Sequence, residues 1–265
     1  MFNLRPCAAR GLGLSLLLGL LLVSSAARSA PQRILSLDLC MDWLLALHAN
    51  PEQIAALSPI HRRYQLPFDM PDWPVHDGSL EQVYRLQPDL ILVGEYNALL
   101  LRRRLQALSL PVVQLPLPTS LDEIEDYERR FLGLIGQPPG RARPAPAPQH
   151  PEVDAPRLLL LGANGIGTGA GTFEDQILRQ AGWRNYLRDA GYISLDIEQL
   201  VGDPPDAILW SAPKSPSLAS RFAEHPALQQ AVAQEGWLST DYWRWQCPGP
   251  WTWELIEQLK RKRVQ

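Results

Sequence analysis

Two segments of the chain are similar in sequence: SLEQVYRLQPDLIL at residues 79–92 and DIEQLVGDPPDAIL at residues 196–209. The second segment starts 117 positions after the first. Six of the fourteen aligned positions are identical. In each segment, a Ser or Asp is placed to cap a short helix, and Gln three residues later completes a capping box. Pro-Asp then ends the helix, and an apolar run of strand length follows. The repeat predicts two α/β lobes of similar construction, although α/β proteins also reuse this unit by chance.

Strands and helices alternate along the rest of the chain. The predicted strands are 33–37, 54–57, 90–93, 112–115, 157–161, 207–210 and 242–246. The caps of the predicted helices include Asp38, Asn97, Ser120 and Thr172, residues 217–234 are expected to be helical with a break at Pro226, and the last helix starts at Pro250. This alternation favours mostly parallel sheets with right-handed crossovers.

A proline-rich segment divides the chain. Residues 143–148 read RPAPAP, a spacing that favours an extended, semi-rigid conformation. We therefore predict an N-terminal α/β lobe at 28–136, a linker at 137–156 and a C-terminal α/β lobe at 157–265.

The composition excludes one class of partner. The chain has 265 residues, of which 46% are hydrophobic and 20% charged, as is typical of a folded soluble protein. Its 25 Lys and Arg residues do not exceed its 28 Asp and Glu residues. Nucleic acid is therefore not an expected partner.

The N-terminus has the three parts of a secretory signal peptide. Arg5 and Arg10 precede an apolar run at 12–23, and small residues follow. We expect cleavage after Ala27 and no lipid anchor, since no cysteine follows the apolar run directly. The mature protein is thus predicted to be exported and soluble.

The carboxyl ends of parallel strands are where ligands bind in open α/β sheets. Five of the nine tryptophans lie between residues 237 and 253, and their flat side chains suit a bulky planar ligand, although core positions are the alternative. The candidate ligand-binding residues are Leu39, Cys40, His61, Arg62, Tyr64, Tyr96, Asn164, Trp210, Trp243, Trp245 and Trp251.

Other kinds of site find little support. The glycines from Gly162 to Gly171 alternate and do not match a dinucleotide fingerprint. The five histidines show no metal-binding spacing, and no GxSxG segment is present. We therefore predict a binding protein that is not an enzyme, without a cofactor or a resident metal.

These segments together resemble a known family. Residues 33–37, the two repeats and the loop leading to Gly171-Thr172-Phe173 are similar to periplasmic solute-binding proteins for cobalamin and ferric siderophores. The resemblance implies two Rossmann-like lobes with mostly parallel sheets, a metal-chelate ligand in the cleft between them, and delivery to an ABC permease at the inner membrane. We expect a monomer in the periplasm. Binding of heme or a free metal ion, or a role as a periplasmic sensor or adaptor, are the alternatives.

The resemblance also assigns a role to two acids. In the family, a glutamate on each lobe meets arginines of the permease, and the matching residues here are Glu81 and Glu198. The simpler interpretation is that each carboxylate complements the dipole of its helix.

Two features differ from the family. The family joins its lobes by one long helix, whereas the helix expected at 121–135 is followed here by prolines. In addition, Cys40 and Cys247 are predicted to face each other across the cleft once Cys7 leaves with the signal peptide. They form either a disulfide that clamps the lobes or a pair of free thiols that line the site.

Overall fold

The computed structural model describes residues 30–63, 72–140, 145–212 and 217–263. Its α-helices are α1 (Leu39–His48), α2 (Leu80–Arg85), α3 (Leu99–Ala107), α4 (Ile124–Leu134), α5 (Phe173–Gln180), α6 (Ile197–Gly202), α7 (Pro226–Ala231) and α8 (Thr252–Arg263). Its strands are β1 (Ile34–Ser36), β2 (Ile54–Ala56), β3 (Leu90–Val93), β4 (Val112–Gln114), β5 (Arg157–Leu161), β6 (Ile166–Thr168), β7 (Arg184–Asn185), β8 (Tyr192–Ser194), β9 (Ala207–Trp210) and β10 (Trp237–Leu238). The predicted signal peptide lies outside the described residues. Within the described ranges, no helix has the length and apolarity needed to cross a bilayer.

The first sheet has four parallel strands in the order β2-β1-β3-β4. Its central strands β1 and β3 are buried on both faces, as their unbroken apolar runs require. One face packs against α1 and α4, and the other packs against α2 and α3. We call this sheet with its helices the first lobe.

The second sheet has the order β10-β9-β5-β6-β8, with β7 beside the start of β5. Strands β5, β7, β9 and β10 are parallel, whereas β6 and β8 are antiparallel to their neighbours. One face of this sheet packs against α5 and α8, and the other packs against α6 and α7. We call this sheet with its helices the second lobe.

Helix α4 contributes to the cores of both lobes. Ile124, at its start, lies in the core of the second lobe, while Tyr127 and Phe131, further along, lie in the core of the first. Just before α4, the Leu121 amide donates to the side chain of Gln176 on α5 at 3.1 Å. The described residues from Pro31 onward accordingly form one compact unit.

The predicted fold class is confirmed: the chain is α/β with two sheets, and each copy of the repeat forms the predicted helix followed by a strand. The domain boundaries at residues 136 and 157 stay a prediction. The strand predicted at 242–246 is wrong, because Tyr242–Trp245 is a 3-10 helix. Trp243 and Trp245 enter different cores from this turn, whereas a strand would put both side chains on one face.

Other local predictions also need correction. The helix expected at 217–234 is reduced to a 3-10 turn at Ser220–Glu224 and the short α7, which begins at Pro226. The glycine-rich segment contains the strand β6, which was not predicted. Asn97 does not cap α3, whose N-cap residue is Ala98.

Candidate ligand site and docking helices

Asp38 joins the ends of two neighbouring strands at the carboxyl edge of the first sheet. It follows β1 and caps α1, and its Oδ1 accepts a hydrogen bond from the Met41 amide at 3.0 Å. Its Oδ2 accepts a second hydrogen bond from the amide of Gly94, which follows β3. Burial raises the pKa of Asp38 to about 6. One buried carboxyl group therefore holds this edge of the sheet together.

His61 lies at the same edge, after β2. Its Nδ1 is 2.7 Å from the Ser58 carbonyl oxygen and 3.6 Å from Oδ2 of the buried Asp42. Asp42 also accepts hydrogen bonds from the amide and the hydroxyl of Ser58, at 2.9 and 2.5 Å. Because both neighbours of Nδ1 are acceptors, this nitrogen carries the proton of the neutral ring, and Nε2 keeps its lone pair. The Asp42 carboxylate raises the pKa of His61.

The carboxyl edge of the second sheet is formed by the ends of β5 and β9. Asn164, just after β5, is exposed and has a left-handed backbone with φ 59°, and its amide donates to Ala219 at 3.0 Å. Gly165 follows with φ +71°, and a Cβ there would lie 2.4 Å from the Phe222 ring. The loop after β5 therefore packs closely on the segment after β9, and glycine is required for this contact.

Exposed apolar side chains lie near the carboxyl ends of strands in both lobes. In the first lobe, Tyr96 follows β3 and is 78% exposed, and Leu100 is also exposed. In the second lobe, Leu218 follows β9 and is 82% exposed, and Ile166 is partly exposed after β5. Exposed apolar surface of this kind is typical of a site for a large apolar ligand.

The two repeat helices begin at these same edges. Ahead of α2, His76 Nε2 lies 2.8 Å from the carbonyl oxygen of Ser36, at the end of β1. Ahead of α6, the Leu195 amide donates to the carbonyl oxygen of Gly165 at 2.9 Å, beyond the end of β5. Glu81 and Glu198 lie in the first turns of these helices and are exposed. Neither forms an ion pair within the part of the chain that the structure describes.

The same hydrogen bonds connect each repeat to its sheet. In the first lobe, the Arg33 amide donates to the Asp89 carboxylate at 2.8 Å, and the Asp89 amide donates back to the Arg33 carbonyl at 3.1 Å. In the second, the Arg157 amide donates to Asp206 at 2.7 Å, and the Asp206 amide donates back at 3.0 Å. The guanidinium of each arginine also binds a carbonyl that follows the repeat helix. The two lobes thus hold their repeat helices in the same way.

Solved structures of several periplasmic binding proteins superpose on this fold. A periplasmic heme binding protein from Pseudomonas aeruginosa superposes with a TM-score of 0.63 at 20% identity, over 87% of this chain and 91% of the other. The periplasmic vitamin B12 binding protein BtuF of Vibrio cholerae gives 0.60 at 17% identity, over 89% and 97%. A possible iron-binding periplasmic solute-binding protein from Staphylococcus epidermidis gives 0.65 at 18% identity, over 89% and 98%.

The chain has the fold of these periplasmic binding proteins. The resemblance predicted from the sequence is therefore confirmed at the level of the fold. No protein-family model matches the sequence, and no curated protein is similar enough in sequence to count as a relative.

Three of the predicted tryptophans, Trp243, Trp245 and Trp251, are buried. Trp243 is 3% exposed and packs edge-on against Trp43 of α1, with ring centroids 4.9 Å apart. Trp251 packs against the same ring at 5.7 Å. Trp245 is buried in the core of the second lobe, where its Nε1 donates to Thr240 at 2.8 Å. The assignment of these three side chains to the ligand site is wrong, because they fill the cores next to the chain's closing helix.

Leu39 and Cys40 are also buried and belong to the core of the first lobe. Cys40 forms a disulfide with Cys247, so the first of the two alternatives for this pair is the one observed. The prediction that Leu39 and Cys40 present their side chains to a ligand is wrong, because α1 turns both side chains into the core.

The other predicted ligand contacts lie at the carboxyl edges of the sheets. Arg62, Tyr96 and Asn164 are exposed there, and Trp210, at the end of β9, is partly buried. Tyr64 lies outside the described residues. Leu100, Ile166 and Leu218 were not predicted, although each is an apolar residue shortly after a strand, which is the signal that could have identified them. Within the described ranges, no group of three His, Cys, Asp or Glu side chains could hold a metal ion.

Proposed function

We propose that this protein is the periplasmic substrate-binding component of an ABC importer and captures a metal-chelate nutrient, cobalamin or a ferric siderophore, between its lobes. The observation that carries the proposal is the exposed apolar surface at the carboxyl edges of both sheets, with Tyr96 and Leu100 on one side and Ile166 and Leu218 on the other. A large chelate can bury such surface on both of its faces. The solved structures with this fold are described as binding heme, vitamin B12 or iron, which supports the same ligand class.

Delivery to the importer is assigned to Glu81 and Glu198. Both are exposed acids at equivalent positions on the two lobes, and both helices are attached to their sheets by matching hydrogen bonds. A permease built from two like subunits can present a basic site to each of them.

An uptake assay tests this proposal. Cells that lack the protein should take up the chelate far more slowly, and the wild-type gene should restore uptake. Replacement of both Leu100 and Leu218 by Ser should reduce uptake about tenfold or more, since each apolar contact contributes about 1.5 kcal/mol or more. Val153→Ser is the matched control, because Val153 is exposed but lies in the predicted linker. Unchanged uptake in the deletion strain would reject the transport function.

Heme is the second candidate ligand, and His61 favours it. Its Nδ1 is held by Ser58 and Asp42, so a neutral ring leaves Nε2 to coordinate the iron of a bound heme, a common arrangement of metal-binding histidines. Because Asp42 raises the pKa of His61, protons compete with iron at a higher pH than for an ordinary histidine. Heme affinity should therefore decrease as the pH falls through this raised value.

The pH dependence of heme binding, followed by the heme absorption band, tests the role of His61. His61→Ala should weaken binding and remove the pH step, whereas His150→Ala, at an exposed linker histidine, should change neither. Tight heme binding by His61→Ala with the wild-type pH profile would exclude coordination by this residue.

A further inference from the structure

An apolar residue accompanies each of the two docking glutamates. Tyr84 lies three positions after Glu81 and is 55% exposed, and Val201 lies three positions after Glu198 and is 66% exposed. Residues three apart share one face of a helix, so each acid has an apolar side chain beside it.

The two helices also face their lobes in the same orientation. Val83 of α2 and Leu200 of α6 are completely buried, and they occupy the same position in the repeat. The exposed faces of the two helices therefore correspond, and each presents one apolar side chain and one acid that forms no ion pair among the described residues. In addition, α2 exposes Arg85 where α6 has Gly202. A single exposed apolar residue is common on protein surfaces. The same residue class at the same repeat position in both lobes, next to the same acid, needs a further reason.

We propose that Tyr84 and Val201 form the apolar half of the docking surface, and that each permease subunit meets its lobe with a cation for the glutamate and an apolar socket for the residue three positions later. This inference rests on the proposed transport function. The partner's class follows from charge and symmetry: it is basic where the lobes are acidic, and it offers the same site twice. A second copy of this chain is a poorer occupant, because its two helices bring two acids, Glu81 and Glu198, and one cation, Arg85.

The different sizes of the two side chains make the two docking sites unequal. Tyr84 offers a large aromatic ring, whereas Val201 offers a small β-branched side chain. Two like subunits would thus bury more apolar area on the first lobe. The Tyr84 site should therefore contribute more to docking than the Val201 site.

The test compares variants that change only the apolar pair. The Tyr84→Ser/Val201→Ser protein is measured for chelate uptake in cells and for binding of heme, cobalamin and a ferric siderophore in vitro. We expect uptake to fall about tenfold while binding of the chelate stays within about twofold of wild type. Tyr84→Leu/Val201→Leu keeps the apolar surface and should restore most of the uptake, and Val153→Ser should leave uptake unchanged.

Each alternative has its own outcome. Wild-type uptake by the double Ser variant would overturn the inference. Equal loss of uptake in the Ser and Leu variants would also overturn it. The Leu variant keeps the apolar surface, so an equal loss would show that apolar character at these positions does not contribute to docking. A dimer of the purified chain that the Ser variants abolish would assign this surface to a second copy. If none of the three chelates binds the wild-type protein, it is the proposed function that fails, and that result is separate from the docking outcome.

Discussion

Cys40, in the first turn of α1, is joined by a disulfide to Cys247, 207 residues later in the chain, with their Cα atoms 5.3 Å apart. Cys40 belongs to the first lobe, while Cys247 lies between the turn Tyr242–Trp245 and helix α8 of the second. The disulfide is buried and lies in the same core as Trp43, Trp243 and Trp251. A covalent bond and an aromatic cluster thus connect the lobes beside the carboxyl edge of the first sheet. They supplement α4, which contributes to both cores.

Removal of the disulfide should strongly destabilise the protein. The bond closes a loop of most of the chain, so the Cys40→Ser/Cys247→Ser protein should lose about 3–5 kcal/mol of the free energy of unfolding. Urea denaturation under non-reducing conditions measures this loss. Reduced wild-type protein is the control and should unfold like the double variant. Equal denaturation midpoints for the oxidised wild type and the variant would contradict the assignment.

Trp243 should matter for stability more than for ligand binding. Its ring fills the core between α1 and the closing segment, so Trp243→Ala should cost about 3–5 kcal/mol. Trp210, which is only partly buried at the end of β9, should show the opposite pattern, with a larger effect on affinity. Thermal denaturation and chelate titration of both alanine variants separate the two roles. A stable Trp243→Ala protein that no longer binds the chelate would show that Trp243 belongs to the ligand site.

Burial of Asp38 should produce a specific dependence of stability on pH. Its folded pKa of about 6 is raised above the ordinary value, so the folded state binds the proton more tightly than the unfolded state. The stabilisation that protonated Asp38 gives to the folded state is fully present below about pH 4 and is lost as the pH rises through about 6. Asp38→Asn lacks this titration.

The difference in unfolding free energy between wild type and Asp38→Asn measures this effect. As the pH rises from 4 to 7, the wild type should lose up to about 2–3 kcal/mol of unfolding free energy relative to Asp38→Asn. Asn keeps an oxygen that can accept from the Met41 amide, so the cap itself is largely preserved. A difference that is independent of pH would show that Asp38 titrates as an ordinary carboxyl group.

Much of the fold could be predicted from local signals. The repeat was recognisable because Ser79 and Asp196 cap their helices with side-chain oxygens, and because Pro-Asp ends each helix before an apolar strand. Strands β3 and β5 have the predicted limits, since long runs of apolar residues leave few alternatives. Gln82 was misassigned: its side chain accepts from the Asp77 amide instead of completing a capping box with Ser79.

The candidate site was less predictable, because it depends on which side chains the tertiary structure buries. The tryptophan-rich segment near the C-terminus has a structural role: its side chains enter the cores of both lobes and connect them, instead of forming the ligand site. Flat aromatic area suits a core and a ligand site equally, and only the neighbouring α1 decides between them. Leu100 and Leu218 were missed because their position after a strand does not tell whether the side chain is buried or exposed.

Charge reversal should separate docking from ligand capture. Glu81→Lys/Glu198→Lys should abolish uptake and leave chelate affinity unchanged, because both acids are exposed and neither belongs to the residues proposed to contact the chelate. Glu52→Lys/Glu235→Lys is the matched control, with one exposed acid reversed before β2 and one before β10. Uptake assays with both double variants provide the comparison. Wild-type uptake by the Glu81/Glu198 variant would reject the docking role.

Direct titration of the protein lacking residues 1–27 with heme, cobalamin and a panel of ferric siderophores tests the central claim. Tryptophan fluorescence and the absorption spectra of the chelates are suitable readouts. We predict that one of these chelates binds with 1:1 stoichiometry and a dissociation constant of about 1 μM or tighter, and that Leu100→Ser/Leu218→Ser weakens this binding about tenfold or more. Absence of saturable binding by every chelate at concentrations up to about 100 μM would contradict the claim that this fold is used to capture a metal chelate.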